Sequence, residues 1–111
     1  MMLHGILIKD GMLAEIDLKD DLEVFYKELN CDTIDIVRRK IGNRIYDIVC
    51  DEEGLFHDGY ISMMDVKSQS PMLVGRLFIC RHDGPELASL TEDDVRHVKA
   101  YWKHHVIWGQ F

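Results

Sequence analysis

Apolar and polar positions alternate most regularly over residues 33–51, T-I-D-I-V-R-R-K-I-G-N-R-I-Y-D-I-V-C-D, where two β-rich runs flank Gly42-Asn43. Both turn residues tolerate positive φ, so the pattern predicts a hairpin with a two-residue turn. Folding about that turn sets Val37 opposite Ile48, Ile36 opposite Val49, Arg38 opposite Asp47 and Arg39 opposite Tyr46. Ile34, Ile36, Ile45 and Val49 then share one face, and Val37, Ile41, Tyr46, Ile48 and Cys50 share the other. Neither face is purely polar. The hairpin calls for a helix on one side and at least partial cover on the other.

The remaining elements follow from the same periodicities. Residues 3–9 and 12–17 form an opening hairpin about Asp10-Gly11, whose second strand carries Glu15 and Asp17 and suits a charged sheet edge. Asp20 with Glu23 has capping-box spacing, and Leu22, Phe25, Tyr26 and Leu29 form one helical stripe, which predicts a helix over 20–29 ended by Asn30. Residues 55–73 have apolar side chains without a clean period. A short extended piece near Leu55 and Phe56 and one packed helical turn are expected there, as a cover for the second sheet face or as a partner-binding surface. The run L-V-G-R-L-F-I-C-R at 73–81 is the most hydrophobic of its length and predicts a central strand, with Gly75 marking a bulge or a close approach. Thr91 with Asp94 makes a second capping box, stapled by Leu90 and Val95. Val95, Val98, Trp102 and Val106 then predict a helix over 92–106. The whole is expected to be a single α+β domain over residues 1–111: a small mixed or antiparallel sheet with two packed helices.

Charge changes the picture more than composition does. The net charge of −7 disfavours non-specific nucleic-acid binding and fits solubility, a basic protein partner, or surface mimicry of a nucleic acid. Residues 1–35 hold nine acids against three bases, whereas residues 36–49 set Arg38, Arg39, Lys40 and Arg44 against Asp47 alone. Cys31, Cys50 and Cys80 are odd in number and widely spaced, as expected of reduced structural thiols. With no signal-peptide pattern and no run of membrane-spanning length, a cytoplasmic location is expected.

Three segments carry a family resemblance: I-D-L-K-D-D-L-E at 16–23, I-V-C-D-E-E-G at 48–54, and V-G-R-L-F-I-C-R followed by S-L-T-E-D-D-V within 74–95. Over roughly residues 4–100 the chain resembles an uncharacterised family of small domains of unknown function found in phages, plasmids and Gram-positive gut bacteria. The resemblance implies a phage or mobile-element setting and no established activity. Each segment also has a purely architectural explanation.

Chemistry-bearing motifs are few. There is no glycine-rich phosphate loop, C-x-x-C, H-E-x-x-H or G-x-S-x-G. Cys80 and His82 lie two apart on a strand and face one side, and with His57 and Asp58 they are the mid-chain residues able to compose a metal or hydrolytic site. His97, His104 and His105 sit on the last helix, where a solvated or partly packed face is the simpler account. Asp51, Glu52, Glu53 and Asp58 lack calcium-loop spacing. No catalytic, cofactor-binding or metal residue is assigned, and no cofactor is expected. The leading expectation is a non-enzymatic phage or mobile-element accessory protein that binds another protein, host or self; inhibition of a host defence system is one version. The alternatives are a small hydrolase or nucleotide-modifying enzyme using His57, Asp58, Cys80 and His82, and a DNA-transaction regulator contacting phosphates through Arg38, Arg39, Lys40 and Arg44.

Overall fold

The computed structural model describes residues 2–9, 12–52, 61–64, 71–74 and 76–101, with backbone only for 61–64 and 71–74. Ten elements follow in order: β1 (Met2–Lys9), β2 (Met12–Lys19), α1 (Leu22–Leu29), β3 (Ile34–Ile41), β4 (Arg44–Asp51), β5 (Ile61–Met64), β6 (Pro71–Val74), β7 (Leu77–Asp83), β8 (Glu86–Ala88) and α2 (Glu92–Tyr101). Six strands make one antiparallel sheet in the order β2-β1-β7-β4-β3, with β8 also paired to β7. β5 and β6 pair separately as an antiparallel two-stranded sheet.

The burial pattern follows each strand's place in that order. β7, β4 and β1 lie inside the sheet, and Leu77 to Cys80, Tyr46 to Cys50 and Ile6 to Ile8 are buried on both faces. Apolar runs there, interrupted only by Asp47, reflect two covered faces. β2 and β3 are edges and alternate instead. α2 packs Val95 and Val98, with Leu90 just ahead of it, against Ile6, Ile8, Ile41, Tyr46, Ile48, Leu77 and Ile79. On the opposite face α1 packs Phe25 and Leu29 against Leu3, Leu7, Leu18, Val49, Phe78 and Cys80. The sheet therefore carries one helix on each face.

The central hairpin has the register read from its turn: Val37↔Ile48, Ile36↔Val49, Arg38↔Asp47 and Arg39↔Tyr46. Only Gly42 takes a positive φ, at 64°, so the turn uses glycine at its first central position and Asn43 in an ordinary conformation. Gly5 answers to a different constraint. A Cβ there would lie 2.5 Å from both the Ile79 carbonyl oxygen and the Phe78 ring, so β1 reaches β7 only with hydrogen at that position.

Three expectations are corrected. Asp21, not Asp20, caps α1: its backbone is extended and its carboxylate accepts from Glu23 N–H at 2.9 Å, which starts the helix at Leu22. Both residues are acidic, and the backbone geometry selects between them. Leu22 lies outside the packed stripe and is 57% exposed, whereas Asn30 ends the helix in the left-handed region as expected. The run at 73–81 is not one strand; it divides into β6, paired to β5, and β7 in the large sheet. Within residues 55–73 the described parts are strands, and Leu55, Phe56 and the expected helical turn before Asp65 or after it lie outside the described residues. Trp102 and Val106, assigned to the last helix, also lie outside them.

Candidate functional site

α1, the start of β3 and β8 converge on a groove of about 510 Å³. Phe25 and Leu87 are its buried floor, Leu22, Ile34, Ile36 and Pro85 its sides, and the exposed acids Asp20 and Glu86 its rim. Leu22 is 57% and Ile36 46% exposed, an unusual price in hydration for two large aliphatic groups so close together. Covering both fully would contribute about 1 kcal/mol each. No basic residue lines the groove. A second depression, about 590 Å³, lies beyond the C-terminal end of α1 among charged residues such as Glu23, Lys27 and Asp32. It exposes no comparable aliphatic surface.

The basic concentration on the central hairpin is largely occupied within the molecule. Arg38 Nε donates to the buried Asp47 carboxylate at 3.1 Å and its guanidinium also donates to the Gly84 carbonyl at 3.2 Å. Arg44 pairs with Asp93 at 2.7 Å and Asp94 at 3.3 Å. Arg39 turns back to the Arg38 carbonyl at 2.8 Å instead of crossing to the Tyr46 ring. Lys40 is exposed.

Cys80 and His82 do face one side, with Asp47 between them and Arg38: His82 Nδ1 stands 3.6 Å from Asp47 Oδ1. Cys80 is wholly buried, and burial followed by the nearby Asp47 charge pushes its thiol up to about 12. It stays protonated at neutral pH, so it has no thiolate to attack with. His57 and Asp58 lie outside the described residues. No group of three His, Cys, Asp or Glu among the described residues has metal-binding geometry. The three cysteines are free thiols; Cys50 is likewise pushed up to about 12, chiefly by burial.

His97 serves the architecture. Its Nε2 bonds the Ile41 carbonyl at 2.7 Å, and its ring stands beside Tyr46 and Tyr101 against Gly42. His104 and His105 lie outside the described residues. Next to it, the buried Asp94 gathers donors from three elements. Its carboxylate accepts from Thr91 N–H at 3.1 Å, the Thr91 hydroxyl at 2.9 Å, the Tyr46 hydroxyl at 3.1 Å and Arg44, with Arg81 Nε at 3.5 Å. Burial alone would raise this carboxyl, but the Thr91 and Tyr46 bonds and the Arg81 charge outweigh it and hold it below the usual range. Burial, then Asp94, pushes the Tyr46 phenol up to about 12 against the pull of Arg44, which keeps it a donor. The cluster is a saturated structural lock, with no lone pair left for a substrate.

Sequence reasoning missed the groove. Leu22 and Ile36 were each visible as apolar positions, but their exposure depends on β8 and α1 meeting across about sixty residues of chain. No helix among the described residues is long and apolar enough to cross a membrane. No curated protein and no solved structure matches the chain. Residues 3–103 match the model of a family described as a domain of unknown function, DUF3846, and the chain belongs to that family.

Proposed function

We propose that the protein is a non-enzymatic binding module whose ligand is a segment of another protein, an aliphatic or aromatic residue flanked by Lys or Arg, seated between α1, β3 and β8. The observation that carries this reading is the pairing of exposed Leu22 and Ile36 with an exclusively acidic rim, Asp20 and Glu86. An apolar cleft of this kind supplies the area for affinity, while the rim selects charge and speeds encounter. Asp21, the cap of α1, and Glu23 in its first turn add to the negative charge at that helix end. In the mobile-element setting implied by the sequence resemblance, the partner is a host protein. A nucleic-acid-handling enzyme, basic by necessity, presents the matching surface, which makes interference with a host defence nuclease the specific form of the proposal.

A random-peptide display selected on the whole protein tests the reading. It enriches peptides with one large apolar residue flanked by Lys or Arg. Leu22→Asp, at an exposed first-turn position, and the double change Asp20→Lys, Glu86→Lys each reduce binding of the enriched peptides at least tenfold, with unaltered melting temperature. A pool without that signature, or one bound equally by both variants, contradicts it.

A further inference from the structure

We infer that β3 is a latched sheet edge through which two copies of this chain associate, antiparallel, with Val37 on the two-fold axis. The argument begins with the hairpin. Ile41 and Arg44 flank a two-residue turn, so Ile41, Arg39, Val37 and Asp35 direct their backbone groups at β4. Ile34, Ile36, Arg38 and Lys40 direct theirs to the free edge. β3 pairs with β4 over eight consecutive residues without a bulge, and among the described residues no strand lies on its other side. It contains no proline. Such an edge is competent for strand addition.

Two side chains close it. The Asp35 carboxylate accepts from the Ile36 N–H at 2.9 Å, and the Arg39 guanidinium donates to the Arg38 carbonyl at 2.8 Å. Those two backbone groups, the Ile36 N–H and the Arg38 C=O, are the donor and acceptor that meet when a second β3 is laid alongside with Val37 opposite Val37. Only registers pairing outward residues with outward residues allow edge bonds, and this one pairs Ile36 with Arg38 of the second copy on both sides of the axis. It also sets Asp35 opposite Arg39 of the second copy, twice. The side chains displaced from the backbone are thus each other's partners across the interface. The strand is self-complementary in charge: Asp35 near its start and Arg39 near its end lie on one face, while Arg38 on the other face is already neutralised by Asp47. Arg39 Nε, shielded from solvent and without a hydrogen-bond partner among the described residues, gains an acceptor. Ile36, 46% exposed on its own, comes to lie opposite Arg38 of the second copy and diagonal to its own symmetry mate. The association shares Ile36 with the binding groove, but its readout is mass, and the Asp35 and Arg39 exchanges touch no groove-lining residue, so its failure and that of the groove are told apart.

Sedimentation velocity of the whole protein over a wide concentration range tests it. The wild-type chain shifts from 13.0 kDa towards twice that mass as concentration rises. Ile36→Pro removes an outward N–H without touching the β3–β4 ladder, and it abolishes the shift. Asp35→Arg abolishes it as well, and adding Arg39→Asp restores it. Circular dichroism checks that each variant is folded; if Ile36→Pro is not, the charge exchange decides. A chain that stays at 13.0 kDa throughout overturns the inference. So does a dimer unaffected by Asp35→Arg or by a folded Ile36→Pro, which would place the contact on another surface, or a double exchange that fails to recover what the single change loses.

Discussion

Phe78→Ala lowers the stability of the protein by about 3–5 kcal/mol, the range for truncating a large aromatic side chain in a packed core. Phe78 is fully buried near the start of β7, the strand that joins the two halves of the large sheet. Its ring stands 5.9 Å from that of Phe25 and closes against Gly5, so α1, β1 and β7 meet on this one side chain. Alanine leaves a cavity between a helix and two paired strands. The surrounding elements are tied by backbone ladders and cannot collapse to fill it. Proteins of this size have about 5–15 kcal/mol in total, so the variant sits near the edge of folding at room temperature. Urea denaturation followed by far-ultraviolet circular dichroism measures the loss. A change below about 1 kcal/mol would show that the ring is not the keystone of the α1 face.

Asp94→Ala is the second large effect, about 2–4 kcal/mol, the loss of a helix cap together with a buried hydroxyl left without its acceptor. The carboxylate caps α2 through Thr91 and, on the same oxygens, holds the Tyr46 hydroxyl, Arg44 and Arg81. Its loss strands a buried phenol and frees a helix end together. Tyr46→Phe removes one donor of several and costs only about 1 kcal/mol. The pH dependence has a definite sign. Because the folded carboxyl titrates below its unfolded value of about 3.9, the unfolded chain binds protons first as pH falls. The contribution is complete above the unfolded value and is lost as pH drops through the folded one. Asp94→Ala therefore has a flatter acid limb than wild type, and identical limbs would show that the carboxylate is not held in its charged form.

Local rules made much of this fold legible. The Gly42-Asn43 turn fixes an eight-residue register by geometry alone, and all eight pairs follow from it. Thr91 and Asp94 announce their reciprocal cap because both partners lie within one turn. Acidic Asp20 and Asp21 are equivalent to a pattern, and backbone torsion separates them. The run at 73–81 concealed a change of sheet, since hydrophobicity marks burial and is silent about which partner strand provides it. Distant contacts account for the rest. Nothing near Thr91 signals that Tyr46, Arg44 and Arg81 converge on its helix. The groove exists only because the turn into β8 brings Pro85 and Leu87 beside α1 and β3.

Site-specific photocrosslinking in the native host cell tests the binding groove most directly. A photoreactive aromatic residue replaces Leu22 in the groove, or Met12, which is 73% exposed on β2 at the opposite edge of the sheet. A discrete adduct with one basic host protein from the Leu22 position, suppressed by Asp20→Lys with Glu86→Lys and missing from the Met12 position, is the predicted result. No adduct at Leu22, or the same adducts from both positions, would contradict it.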